Sequence, residues 1–368
     1  MTNTTMKICV VGISLSKGGA ERSISVLTSM LTEMGHDVHL VLLNDQIDYP
    51  YSGTLFNLGE HKDSENDSLY KRLKRFKKLR QYLKLKQFDF IIDHRPKNNY
   101  YREVFYKQYL YRGIKTIYVL HSSRQVLNTE MQRDHFIKIH KNNYCNVAVS
   151  NYIETELLKV NGLHNSTTIY NAYDPDWMQS RDLIGHPLKG KTYVLSYGRI
   201  EDSIKDYKFL IDSFLRSNLW KEDVFLVILG DGKDKETLEM YVKEHDGNDF
   251  IVFHPFTPNP FPYIYNSKFV TLTSRYEGFP MVLLEALSIG VPVVSLDIIS
   301  GPNEIVINEE NGLLVADRDT GLFAESMVKM FKNDTLYKKC KTYASKSVER
   351  FSKEQISLQW EQLLKDEE

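Results

Sequence analysis

Short apolar, β-branched runs alternate with longer amphipathic stretches along almost the whole chain, and this alternation restricts the fold more than any other feature. It predicts strand-helix-strand units built around parallel sheets. The strand candidates of the first half are 6–12, 36–43, 88–93, 114–120 and 145–149; the pattern restarts at 191–198, 223–230, 249–254, 268–273 and 291–296. Two series predict two sheets, and 368 residues exceed one ordinary core while suiting two domains of about 150 to 200 residues each. Between the series lies 171–190, with two prolines, two glycines and no clean periodicity, which reads as a linker. The expected division is a first domain 1–172, a second 173–350 and a tail 351–368. In that tail Ser352 and Gln355 predict a helix opened by a capping box.

Composition narrows the function classes. With 42% apolar and 26% charged residues and a net charge of −1, the chain is expected to be globular, with no global attraction to nucleic acid. No apolar run approaches the ~18 residues of a membrane-spanning helix, and the opening MTNTTMKICVVG reads as a strand without a cleavage site, so a cytoplasmic protein is expected. Cys9, Cys145 and Cys340 are odd in number, far apart and without CxxC spacing, which predicts isolated buried thiols.

In open α/β sheets ligands bind beyond the carboxyl ends of the strands, so the turns leaving those ends are where chemistry is sought. Four stand out. Gly12 to Arg22 carries Gly18 and Gly19 at a helix start, where backbone amides suit a phosphate; the spacing is not GxGxxG, which disfavours a dinucleotide. Gly198 to Lys205 presents Arg199 and Lys205, a guanidinium and an ammonium that together suit a diphosphate. Ser274 to Gly290 places Glu277 before a helix expected to open at Pro280 and Glu285 two turns along it; carboxylates accept hydrogen bonds from hydroxyl pairs, as in sugars. Glu285 sits among Leu283, Leu284, Ala286 and Leu287, where a charge is costly without a partner. Asp297 to Ile305 combines a tight turn with a further helix start.

GGAER at 18–22, Gly-Arg and Lys within 198–205, YEGFPMVLLEALSIGVPVV at 276–294, SGPNEI at 300–305 and NGLL at 311–314 follow one another in an ordered set. In that set the chain resembles, over nearly its whole length, the retaining glycosyltransferases of family 4 (glycosyl transferases group 1). The resemblance implies the GT-B fold: two Rossmann-like domains with parallel sheets facing across a deep cleft, the first holding the acceptor, the second the nucleotide sugar, and the last helix crossing back to the first domain. It implies that Arg199, Lys205, Glu277 and His121 act in catalysis. It implies a donor site of Gly18, Gly19, Gly198, Arg199, Lys205, Glu277, Gly278, Phe279, Pro280, Leu283 and Glu285, with Glu285 on the ribose and Glu277 on the transferred sugar. His121, ending the run 114–120, matches the family's histidine near sugar and acceptor. Asn171 is expected to end a further short strand, in Tyr170-Asn171-Ala172 where the family usually reads Pro-Asn-Gly, and Lys205 follows Arg199 by one residue more than is common.

No Asp-x-Asp is expected next to a strand end in the second domain, so the leaving charge is expected to fall to Arg199, Lys205 and helix amides, with no metal ion and no cofactor. The resemblance supplies no nucleophile for a double displacement. It implies front-face departure, the donor phosphate assisting deprotonation of the acceptor, and a UDP-linked hexose or N-acetylhexosamine as donor for a saccharide or lipid-linked acceptor. Residues 71–86 carry Lys71, Arg72, Lys74, Arg75, Lys77, Lys78, Arg80, Lys84 and Lys86 beside the stripe Leu69, Leu73, Phe76, Leu79 and Leu83. The stripe is expected in the core and the basic face in solvent or on anionic lipid; too few aromatics interleave for nucleic acid. Two other readings stay open: a GT-B subunit without turnover, and an epimerase or hydrolase of the same fold.

Overall fold

The computed structural model describes residues 5–60, 68–124, 127–176, 188–245 and 249–365. The part of the expected linker at 177–187 and the side chain of Leu69 lie outside the described residues. Contacts divide the chain into two units: residues up to Ala172 together with those from Ile356 onward, and Tyr173–Gln355.

The first unit is built on seven parallel strands: β1 (Lys7–Gly12), β2 (Asp37–Leu42), β3 (Thr54–Asn57), β4 (Phe90–Asp93), β5 (Lys115–Leu120), β6 (Cys145–Ala148) and β7 (Ser166–Thr168), in the order β3-β2-β1-β4-β5-β6-β7. The second has six: β8 (Thr192–Tyr197), β9 (Val224–Leu229), β10 (Ile251–His254), β11 (Val270–Leu272), β12 (Val293–Leu296) and β13 (Gly312–Val315), in the order β10-β9-β8-β11-β12-β13, again all parallel. Central strands covered on both faces must be apolar throughout. Ile8, Cys9, Val10 and Val11 of β1 are accordingly buried, as are Val194, Leu195 of β8 and Leu226, Val227 and Ile228 of β9.

Each sheet winds outward from its first strand in two directions. The order reverses between β1 and β4 in one unit and between β8 and β11 in the other, and the turns leaving these strands border the crevice where such sheets take ligands. Beneath them lie one core containing Leu79, Leu83, Ile91, Tyr106 and Tyr118, and another containing Leu210, Phe214, Phe269, Phe323 and Met327.

All ten strand candidates form strands, β7 is the further short strand expected before Asn171, and β3 and β13 are additional. β3 and β13 have four residues each, and β3 is exposed or half-buried along its length. β7 ends at Thr168, so Asn171 does not end a strand but lies three residues beyond it, buried. The helix Lys353–Lys365 begins as expected, its Gln355 amide donating to Ser352 Oγ at 3.3 Å; further along, the Tyr144 hydroxyl donates to the Leu363 carbonyl. The basic segment is the helix Leu69–Lys86, and its apolar stripe is only half core: Leu79 and Leu83 are fully buried, whereas Leu73 is 54% exposed. Burial raises the thiol pKa of all three cysteines, to about 11 for Cys145 and Cys340.

Candidate functional site

At the reversal point of the second sheet the turns after β8 and β11 are tied together. Lys205 Nζ lies 2.6 Å from Glu277 Oε1, and the same oxygen accepts from Ser274 Oγ at 2.7 Å. Both side chains keep partial solvent access, and Arg199 is exposed, its side chain without an ion-pair partner among the described residues. The backbone is sewn as tightly: the Arg275 amide donates to the Ile204 carbonyl at 2.8 Å, and Thr273 Oγ1 donates to the Lys205 carbonyl at 3.0 Å.

Asp206 makes this arrangement possible. It adopts left-handed backbone (φ 55°), a conformation unfavourable for residues other than glycine but tolerated by Asp and Asn. What holds it is its buried carboxylate, 2.6 Å from the Arg318 guanidinium and 2.9 Å from that of Arg275. Arg318 also donates to the Thr273 and Ser274 carbonyls at 2.9 and 2.6 Å. One guanidinium therefore fixes both turns that carry the Lys205–Glu277 pair.

The Gly278-Phe279-Pro280 turn is itself buried, so what it offers a ligand is backbone. Pro280 precedes the helix Met281–Ser288 as its cap, one residue earlier than expected for a first helical residue. Ser300 Oγ donates to the Gly278 carbonyl at 2.8 Å, and a Cβ on Gly301 (φ 97°) would stand 2.4 Å from Pro280 Cδ, so the turn after β12 braces the turn after β11 and needs glycine to do so. Within the helix Leu283 is wholly buried, and Glu285 is 97% buried, being 3% exposed. The partner that its burial demands is the Tyr197 hydroxyl, 2.6 Å from Glu285 Oε2 at the end of β8. A turn absent from the sequence-derived set, Gly230-Asp231-Gly232 after β9, packs on the Gly198 loop: the Ile200 amide donates to the Asp231 carbonyl at 2.9 Å, and a Cβ on Gly232 would lie 2.1 Å from the Ile200 carbonyl oxygen.

The first unit differs. Gly18, extended, caps the helix Gly19–Glu33 without a side chain, leaving the turn's amide edge at the β1 end. Across the reversal point β4 ends in Asp93, followed by His94, Arg95 and Lys97. Arg95 pairs with Asp93 at 2.6 Å and with Glu103 at 3.0 Å, Lys97 lies 3.2 Å from Asp93, and the Tyr111 hydroxyl donates to Asp93 at 3.1 Å, all of it buried. Burial alone would raise the Asp93 pKa, but Arg95 and Lys97 outweigh it and hold the carboxyl at about 2; burial outweighs Asp93 at Lys97 and brings its ammonium down to about 8. His121 at the end of β5 is partly buried, and burial, then the Lys97 charge, push its pKa down to about 3. None of Asp93, His94, Arg95, Lys97 or Glu103 belonged to the expected site; the signal was the cluster Asp-His-Arg-Pro-Lys directly after a strand.

The expected absence of an Asp-x-Asp at a strand end does not hold. β13 was not foreseen, and it is followed by Asp317-Arg318-Asp319, so an Asp-x-Asp does lie next to a strand end. This strand is at the sheet's edge, Asp319 is occupied in capping the helix Thr320–Lys332 through the Gly321 and Leu322 amides, and Arg318 is the brace described above.

A family model described as glycosyl transferases group 1 matches residues 183–347, and one described as glycosyltransferase family 4 matches residues 17–177. The chain is 28% identical over 95% of its length, and 97% of the relative's, to N-acetylgalactosamine-N,N'-diacetylbacillosaminyl-diphospho-undecaprenol 4-alpha-N-acetylgalactosaminyltransferase of Campylobacter jejuni. It is 34% identical to the lipopolysaccharide 1,6-galactosyltransferase of Escherichia coli, over 48% of this chain and 49% of that one. Among solved structures, Anabaena HepE in complex with UDP and glucose superposes with a TM-score of 0.80 at 18% identity, covering 98% of this chain and 100% of HepE. Staphylococcus aureus TarM, solved as a mutant with Fondaparinux, alpha-GlcNAc-glycerol and UDP, gives 0.78 at 14%, covering 98% and 100%. The fold is GT-B, with two Rossmann-like units.

Proposed function

This chain belongs to the family 4 glycosyltransferases and is a glycosyltransferase; on that premise we propose that it transfers a hexose or N-acetylhexosamine, with retention, from a UDP-linked donor to a saccharide or lipid-linked saccharide. The pathway we propose is assembly of a bacterial surface polysaccharide, lipopolysaccharide or other glycan, a setting suggested by the relatives from Campylobacter and Escherichia. The observation that carries this reading is the Lys205–Glu277 pair beside the exposed Arg199, held at the reversal point of the second sheet.

In this mechanism Arg199 chelates the donor diphosphate and Lys205, already beside the turn, adds its charge as the sugar leaves. Glu277, held by Ser274, accepts from the sugar hydroxyls, and the Gly278–Pro280 backbone borders the distal phosphate. Glu285, oriented by Tyr197, accepts from the ribose. The bond from the anomeric carbon to the phosphate oxygen breaks while the acceptor oxygen bonds to that carbon from the same face, and the acceptor proton passes to the departing phosphate. Charge stabilisation by two side-chain cations and backbone amides makes the transfer independent of metal and cofactor. The acceptor we assign to the first unit, where Gly18, Gly19 and His121 lie at the carboxyl ends of the strands.

A lipid-linked acceptor gives the helix Leu69–Lys86 a purpose. Tyr70 and Leu73 are 75% and 54% exposed among Lys71, Arg72, Lys74, Lys77 and Lys78, and a cationic face studded with exposed apolar groups suits an anionic membrane surface on the cytoplasmic side. No described helix is long and apolar enough to cross a membrane. Flotation with anionic and with neutral vesicles checks this, and no preference for the anionic ones removes it.

Thermal-shift screening against UDP-, GDP- and ADP-sugars tests the donor, because a ligand bound only by the folded state raises apparent stability. Stabilisation by UDP-sugars is expected. Donor breakdown is then measured with and without acceptor; breakdown indifferent to every acceptor indicates a hydrolase instead.

A further inference from the structure

β4 and β5 are neighbours, so the residues that leave their carboxyl ends, His94 and His121, meet. His94 Nδ1 lies 2.8 Å from His121 Nε2, with the rings 5.1 Å apart and 26° from parallel. His94 is buried, and its other nitrogen, Nε2, has no hydrogen-bond partner among the described residues. Its backbone is fixed on both sides: its own amide donates to the Val11 carbonyl at 2.9 Å, and the neighbouring Asp93 and Arg95 are locked in the buried ion network. His121, by contrast, retains partial exposure, and with Nε2 engaged only its Nδ1 is left to meet a ligand.

A contact between two neutral imidazoles holds one proton, and there are two ways to place it. If His94 carries it on Nδ1, His121 accepts at Nε2 and bears its own proton on Nδ1; the cost is a bare lone pair on His94 Nε2. If His121 donates from Nε2, His94 must carry its proton on Nε2, a buried N–H with no acceptor. Orphaned buried N–H groups are rarer in folded proteins than under-used acceptors. Both rings stay neutral near neutral pH. For His94, burial, His121 and Lys97 outweigh the opposing charge of Asp93; for His121, burial and Lys97 act together.

We propose that His94 is a positioning residue whose Nδ1–H donates to His121 Nε2, fixing His121 as the Nδ1–H tautomer and so making it a hydrogen-bond donor to a saccharide hydroxyl at the first sheet's strand ends. His121 in this state has no lone pair with which to take the acceptor's proton, which leaves that task to the departing phosphate. The sugar-side role rests on the function proposed above; the tautomer does not depend on it.

Nitrogen-15 NMR of the histidine-labelled full chain, with His94 and His121 assigned by their loss in single variants, reads the protons directly. The expected result is protonated Nδ1 and bare Nε2 on His121, with Nδ1 of His94 also protonated. His121 found as the Nε2–H tautomer, or doubly protonated near neutral pH, overturns the proposal. His94→Asn keeps an N–H facing His121 and should preserve its tautomer, whereas His94→Asp offers only acceptors and should reverse it, lowering kcat about a hundredfold with KM for the donor little changed. If His121 shows one tautomer in wild type and in both variants, His94 is merely structural; if His94→Asp does not fold, the wild-type and His94→Asn spectra decide. The predicted tautomer without transfer from any nucleotide sugar faults the function and leaves the pairing intact, and normal transfer with the reversed tautomer does the opposite.

Discussion

The two sheets end in turn clusters of opposite character. Beyond β8 and β11 the charges stand partly open to solvent, Arg199 exposed and Lys205 and Glu277 half-covered, and the rigid parts are behind them: Asp206 gripped by Arg318 and Arg275, Gly301 against Pro280. Beyond β4 and β5 the charges are spent on one another, with Asp93, Arg95, Lys97 and Glu103 closed into a buried network and the histidines neutral beside them. A region built to meet a diphosphate must keep cations available, because a buried pair already satisfied gains little from a ligand. If, as proposed, the first unit takes a neutral saccharide, its ligand calls for shape and hydrogen bonds instead of free charge.

This contrast can be broken by substitution. The largest effect belongs to the open cluster: Glu277→Gln and Arg199→Ala are each expected to abolish transfer, a loss of at least about a thousandfold, with thermal unfolding unchanged, and near wild-type turnover in either purified variant would refute their roles. In the closed cluster the loss is in stability. Arg95→Leu removes the guanidinium shared by two buried carboxylates, leaving Asp93 to Lys97 and Tyr111 and Glu103 to Arg102, and should cost about 3 kcal/mol in denaturant unfolding while leaving nucleotide affinity as it was. Gly301→Ala forces a side chain into left-handed backbone and against Pro280, and is expected to cost about 1–3 kcal/mol and to weaken donor binding as well, since the brace and the site are one structure. The last effect shows only in acid and is absent near neutral pH. His140, buried and held by burial at about 3, binds no proton in the folded state that the unfolded chain binds below about 6.5. Stability should therefore be flat above that value and fall as pH drops from about 6.5 toward 3, and His140→Gln should make the fall shallower by about 1.4 kcal/mol per pH unit. An unaltered slope would show that the acid sensitivity lies elsewhere.

The sequence carried the second unit's site further than the first's for the same physical reason. Arg199, Lys205, Glu277 and Glu285 sit at fixed spacing around glycines and a proline, and such turns must be written locally because backbone geometry demands particular residues. Their supports are not local: Tyr197 reaches Glu285 and Arg318 reaches Asp206 from far along the chain, and no periodicity announces them. The His94–His121 pair likewise exists only because β4 and β5 are adjacent. Short strands were the other blind spot, and overlooking β13 hid both the Asp317-Arg318-Asp319 turn and the brace within it. Leu73 shows the limit of a helical stripe, which marks a face as apolar without saying that anything covers it.

The central claim is that Arg199 and Lys205 exist to hold a nucleoside diphosphate at the second sheet's reversal point. Calorimetric titration of UDP, GDP and ADP into the wild-type chain and into Arg199→Ala tests it most directly. The account predicts one-to-one binding of UDP that weakens with salt and falls by about tenfold or more in the variant, as expected for the loss of a charge-assisted hydrogen bond. Binding of none of the three, or equal affinity in wild type and variant, would contradict it.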